Sequence, residues 1–147
     1  MPLTQKETDL LKDMKSQEKL CIEKYAKYAN EAVDAELKNL LNQIGQVESQ
    51  HLNTLNQIGG VPVNATAAPV SVTGQSDCNC SKQASKDNDA FICSDALSTE
   101  KHASSVYDTC IFEFKDTQTR TTLNKIQKEE QDHGEKLYNY MSSHGMY

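Results

Sequence analysis

The feature that most constrains this chain is a repeat. Shifting the sequence by 82 residues places Asp13 on Asp95, Glu18 on Glu100, Lys19 on Lys101, Tyr25 on Tyr107, Glu31 on Glu113 and Asp34 on Asp116. The same register continues without a gap through Leu41, Asn42, Ile44, Glu48, His51 and Leu55, which fall on Leu123, Asn124, Ile126, Glu130, His133 and Leu137. The matches include the sparse types His and Tyr and keep every internal spacing, so shared composition does not account for them. The chain reads as two copies of one supersecondary unit.

Each unit reads as a helical hairpin. In the first copy Leu11, Met14, Cys21, Tyr25, Tyr28 and Ala32 recur at three- and four-residue steps, and after a short break Leu37, Leu41, Ile44, Leu55 and Ile58 do the same. In the second, Cys93, Ala96, Ala103, Tyr107, Cys110 and Phe114 are followed by Leu123, Ile126, Leu137 and Met141. Asp34 and Asp116 sit where an N-cap carboxylate would accept the free backbone N–H groups of each second helix. Helices are expected over 4–32, 35–57, 89–114 and 117–142. Only 37% of the residues are hydrophobic and Trp is absent, which suits narrow apolar stripes on long helices. The expectation is one all-α domain over 1–147, with hairpin one at 4–58 and hairpin two at 89–142. Between them, 59–88 is rich in Gly, Pro, Ser, Thr and Asn and reads as a long crossover linker, disordered around Ser71 to Asp87.

The net charge of −6, with basic residues interleaved among acidic ones, leaves no electrostatic footprint for nucleic acid. Met1 to Met14 carry five charges, and no apolar run approaches the ~20 residues of a membrane span. Neither a signal peptide nor a membrane segment is expected, which points to cytoplasmic synthesis. The five cysteines lack paired C-x-x-C spacing. Cys21 and Cys110 fall on core rows as small hydrophobes, whereas Cys78 and Cys80 lie in the linker as exposed thiols.

The chemistry lies where the apolar stripes are broken. Glu18 falls between Met14 and Cys21, and Glu100 between Ala96 and Ala103. On the second helix of each hairpin, Glu48 with His51 and Glu130 with His133 form Glu-x-x-His pairs, whose spacing puts both side chains on one face. Glu18 lies sixteen residues before Asp34 and Glu48 fourteen after it; Glu100 and Glu130 stand in the same relation to Asp116. Paired hairpins would therefore gather four carboxylates and two imidazoles at one level. Four ionised carboxylates cannot remain buried without compensation, so they either take up protons or bind cations, and two divalent cations would cancel their charge.

One Glu from each of two helices and Glu-x-x-His from each of the other two resembles the ligand set of bacterioferritins and rubrerythrins, members of the ferritin-like superfamily. That resemblance covers the four helices and implies a ferritin-like antiparallel four-helix bundle with two iron ions, or manganese, per chain. Its ligands would be Glu18, Glu48, His51, Glu100, Glu130 and His133, with Glu48 and Glu130 bridging. Tyr25 and Tyr107 would orient ligand carboxylates. The resemblance also admits an enzyme, a di-iron ferroxidase or peroxidase consuming O₂ or H₂O₂. Against a rubrerythrin, Ala103 stands where a further glutamate is expected and no rubredoxin domain is present; against a cage ferritin, no fifth helix follows the fourth.

Over its whole length the chain resembles clostridial spore coat proteins of the Coat F type. The segments LTQKETDLLKDMKSQEKLCIEKYAKYA, LNQIGQVESQHLNTLNQI, ALSTEKHASSVYDTCIFEF and QKEEQDHGEKLYNYMSSHGMY carry that resemblance. It implies a place in the endospore coat, with other coat proteins or further copies of the chain as partners. Tyr138, Tyr140, Met146 and Tyr147 are the candidate contact residues.

Overall fold

The computed structural model describes residues 2–60 and 82–147, the side chains of 82–84 excepted; among these residues there are four α-helices and no strand. They are α1 (Gln5–Glu31), α2 (Ala35–Ile58), α3 (Lys82–Glu113) and α4 (Thr117–Ser143). Three of the four lie within a residue of the expected bounds. The exception is α3, which begins at Lys82 rather than at 89, so 82–88 is helix and not linker, and the disorder expected up to Asp87 does not hold over 82–87. Apart from Ala84 the added turns are polar, so no stripe marks them, yet Lys, Gln and Ala are good helix formers that extend a helix anchored further on. The remaining linker, with Cys78 and Cys80, lies outside the described residues.

The starts of α1, α2 and α4 have a chemical reason. Thr4 and Glu7 form a capping box on α1: the Glu7 amide donates to Thr4 Oγ1 at 3.2 Å, and the Thr4 amide donates to Glu7 Oε2 at 2.7 Å. Asp34 accepts from the Leu37 amide at 3.1 Å and Asp116 from the Thr119 amide at 2.6 Å, as the cap spacing predicts. The three-residue breaks Ala32–Asp34 and Phe114–Asp116 fold each pair of helices back on itself. In hairpin one Tyr25 lies against Gly45 and Leu11 against Gly59; in hairpin two Leu97 lies against Gly134. In addition, Gln127 donates to the Ser104 carbonyl at 2.9 Å.

The hairpins pack with α1 on α3 and α2 on α4. Two carboxylates clasp them together, and neither was expected. Asp89 on α3 accepts from the Val33 and Asp34 amides of the first hairpin's turn, both at 2.9 Å. Glu7 on α1 accepts from the Lys115 amide of the second hairpin's turn at 2.9 Å. Glu7 and Asp89 are themselves related by the 82-residue shift, so each hairpin caps the other's turn by the same device. An amide in a tight interhelix turn has no helical partner, and these buried carboxylates satisfy it.

The apolar core divides in two. One cluster joins Cys21, Tyr25, Leu41, Ile44, Cys93, Ala96, Leu137 and Met141; the other joins Leu11, Met14, Leu55, Tyr107, Phe114, Leu123 and Ile126. On every helix the polar residues singled out above fall between the two clusters. The C-terminal expectation needs correcting: Tyr140 is 5% exposed and donates to Asp34 at 2.9 Å, so it is core rather than contact surface, and Met146 is half-buried against the same cluster. Tyr138 and Tyr147 are exposed and meet edge to face.

Candidate metal centre

The structure brings all six of the residues picked out as ligands into one place. Glu18, Glu48 and Glu130 are fully buried, and His51, Glu100 and His133 are 2% exposed. They form two groups of four, Glu18–Glu48–His51–Glu130 and Glu48–Glu100–Glu130–His133; within each, the potential ligand atoms lie within 4.8 Å of one another. Glu48 and Glu130 belong to both groups. His51 Nδ1 is 3.2 Å from Glu130, 3.3 Å from Glu48 and 3.7 Å from Glu18. His133 Nδ1 is 3.1 Å from Glu48, 3.6 Å from Glu100 and 3.7 Å from Glu130. The two rings stack with centroids 5.9 Å apart.

Tyr25 and Tyr107 hold the two carboxyls that belong to one group each, but they do so across the hairpins. The Tyr25 hydroxyl donates to Glu100 and the Tyr107 hydroxyl to Glu18. The packing of α1 on α3 decides which glutamate each tyrosine serves. Each tyrosine donates to Oε1 of its partner, and Oε2 of each glutamate has no hydrogen-bond partner.

In the absence of cations the cluster balances its own charge with protons. Burial, reinforced by Glu130 and Glu48, pushes Glu18 up to about 8, and burial with Glu130 and Glu48 pushes Glu100 up to about 9. Burial opposes charge on His51, but Glu130, Glu18 and Glu48 outweigh it and raise the imidazole to about 12. Burial likewise opposes charge on His133, and Glu100, Glu130 and Glu48 raise it to about 11. Glu48 and Glu130 resist burial through the same histidines and stay below the usual carboxylate value. At neutral pH two carboxylic acids, two carboxylates and two imidazoliums therefore face one another with no net charge.

Proton balance does not satisfy every atom. Glu18 Oε2, Glu100 Oε2 and both oxygens of Glu130 are buried and accept no well-aligned hydrogen bond. A buried polar atom without a partner costs on the order of 1–3 kcal/mol, and four such atoms in one cluster leave ligand positions uncommitted. Carboxylate and imidazole donors suit iron, manganese or zinc. The residues present fit a pair of divalent cations.

One functional side chain escaped the sequence reading. Glu129 Oε2 lies 2.8 Å from His51 Nε2, behind the ring as seen from the cluster, and its other oxygen is 3.8 Å from Lys125. Its signal was a mismatch: under the 82-residue shift Glu129 falls on Val47, a pairing a search for identities passes over. Of the other two histidines, His102 is exposed, and His144 is half-buried and stacked on Tyr140 at 4.0 Å. Cys21, Cys93 and Cys110 are buried free thiols. Burial lifts the Cys21 thiol far above the usual range, and the neighbouring carboxylates add to the shift.

Among the described residues no helix is long and apolar enough to cross a membrane. No curated protein and no solved structure matches the chain. A family model does: residues 88–147, the second hairpin with its half of the carboxylate and imidazole cluster, match the Coat F domain, which supports the likeness to spore coat proteins for that part of the chain.

Proposed function

We propose that this is a ferritin-like protein of the bacterial endospore coat, in which an antiparallel four-helix bundle with a crossover from α2 to α3 holds two iron or manganese ions per chain. The observation that carries this reading is the pair of four-residue groups sharing Glu48 and Glu130. A shared pair of carboxylates between two imidazoles is what two adjacent divalent cations require, because four negative charges then meet four positive ones. The directions of the helices support the bundle: Glu48 meets His133 across α2 and α4, and Tyr25 meets Glu100 while Tyr107 meets Glu18 across α1 and α3. The Coat F match supports the coat assignment.

In this reading Glu48 and Glu130 would be shared by the two ions, Glu18 with His51 and Glu100 with His133 would each hold one of them, and the tyrosines keep the Glu18 and Glu100 carboxyls in place. The role is to sequester metal in the coat, with other coat proteins or further copies of the chain as partners. The test is elemental analysis of anaerobically purified protein reconstituted with Fe(II) or Mn(II). About two ions per chain are expected in the wild type and none in Glu48→Ala or Glu130→Ala; a metal-free wild type overturns the reading.

The uncommitted oxygens of Glu130 favour a second reading, because a bridging carboxylate that no hydrogen bond holds is free to change its binding mode. Two iron ions would supply oxidation by O₂ or H₂O₂, as in a di-iron peroxidase or ferroxidase. H₂O₂ consumption by Fe(II)-loaded protein, lost in Glu130→Ala, distinguishes this reading from sequestration.

A further inference from the structure

The two ends of the cluster are not chemically alike. His51 presents Nδ1 to Glu18, Glu48 and Glu130, while its Nε2 faces the Glu129 carboxylate at 2.8 Å. His133 presents Nδ1 in the same manner, but the 82-residue shift puts Val47 where Glu129 would be, and valine has no acceptor atom. Among the described residues no side chain accepts from His133 Nε2. The difference reaches one residue further out, since the Lys125 that steadies Glu129 at 3.8 Å falls on Gln43.

A carboxylate behind a ligating imidazole has two effects. It keeps the proton on the outer nitrogen, so that the inner nitrogen's lone pair points at the cation, and it raises the basicity of that lone pair. Loss of such a partner lowers metal affinity roughly 10–100-fold. The central carboxylates are common to both ends and do not discriminate between them, and the tyrosines support both terminal glutamates alike. Glu129 is the group that separates the ends.

Resting on the dinuclear reading above, we infer that the two cation positions fill in order, with Glu129 acting as a positioning residue that makes the Glu18–Glu48–His51–Glu130 end the tighter and first-occupied one. The second position, built on Glu100 and His133, fills afterwards. The chain would then pass through a half-loaded state with a defined vacancy, which is a means of exchanging one ion while retaining the other.

The probe is Co(II), which undergoes no redox change under these conditions and displaces the proton resonances of its ligands. Calorimetric titration of metal-free protein is expected to show two steps separated by roughly 10–100-fold in affinity. At one equivalent, the imidazole N–H with the large contact shift of a ligand should be that of His51, with His133 showing only the smaller through-space shift of a neighbour. Glu129→Val should weaken the first step until it merges with the second. Val47→Glu should tighten the second step and leave the first in place, a gain that a merely structural role for Glu129 would not produce. Two ions bound with equal affinity in the wild type, or a Glu129→Val isotherm unchanged from it, overturn the ordering alone. Failure of the wild type to bind Co(II) overturns the dinuclear reading and this inference together.

Discussion

The two hairpins turn the same three polar side chains toward the centre and back the terminal glutamates with the same tyrosine, but they differ in other groups behind them. Hairpin one offers Glu18, Glu48 and His51, and hairpin two offers Glu100, Glu130 and His133. Behind His51 stands Glu129, whereas Val47 holds the corresponding place for His133. Glu7 clasps one turn and the shorter Asp89 the other. Cys21 follows Glu18 by one turn where Ala103 follows Glu100. Groups that share one charge balance must match in number and kind, because a missing carboxylate would strand an imidazolium in the core. The groups behind them lie outside that balance and can differ without disturbing it.

The comparison can be broken most severely at its centre. Glu48 lies 3.1 Å from His133 and 3.3 Å from His51, whereas neither oxygen of Glu130 accepts an aligned hydrogen bond. In the metal-free protein Glu48→Ala leaves two imidazoliums short of an acceptor and should cost about 3–5 kcal/mol in urea unfolding, with Glu130→Ala costing less. In the metal-loaded protein the two substitutions should become equivalent, since both carboxylates would bridge.

Acidity tests whether the two ends carry protons as a unit. Glu18 and Glu100 rise from 4.5 to about 8 and about 9 on folding, so their contribution is complete below about 4.5 and is lost as pH rises through 8 to 9. His51 and His133 rise from 6.5 to about 12 and about 11, a contribution complete below 6.5 and lost only in strong base. Glu48 and Glu130, held low, contribute above 4.5 and lose that stability as pH falls. Metal-free protein should therefore melt at a higher temperature near about pH 5.5 than near about pH 9. Metal uptake should run the opposite way, strengthening with pH as cations replace protons, and proton release on Mn(II) addition in weak buffer measures it.

The clasps give a smaller contrast. Asp89 serves two turn amides and Glu7 serves one turn amide besides its own cap. Asp89→Ala should lower stability by about 1–3 kcal/mol, with a smaller loss for Glu7→Ala, both read from denaturation midpoints. Smaller again is the difference between the caps. Asp34 also accepts from Tyr140 at 2.9 Å, whereas Asp116 binds only within its own first turn. Asp34→Ala should cost about 1 kcal/mol or somewhat more in a thermal melt, exceeding the loss from Asp116→Ala.

Much of this arrangement was legible before any coordinates, because helices translate spacing into position. A glutamate within an apolar row faces the core, and a Glu-x-x-His places its two side chains one turn apart. Equal counts from Asp34 and Asp116 put the two copies at one level. What stayed hidden falls into two kinds. The early start of α3 over 82–88 has no apolar stripe, so periodicity has nothing to report there. Glu129, Asp89 and the exchanged tyrosines depend on which helix lies against which, and a repeat found by identity cannot show partners that differ in type or cross between the copies.

By itself, then, the sequence determined the number of helices, the caps that start α2 and α4, and the six side chains that break the apolar rows. Those follow from local rules of spacing and capping that act within one helix or one turn. The tertiary structure decided the rest: that Tyr25 serves Glu100 and Tyr107 serves Glu18, that each hairpin caps the other's turn, and that among the described residues a carboxylate backs His51 and not His133. These are contacts between residues far apart in the chain, and they are fixed by how the faces of two hairpins pack, which no spacing along a single helix encodes.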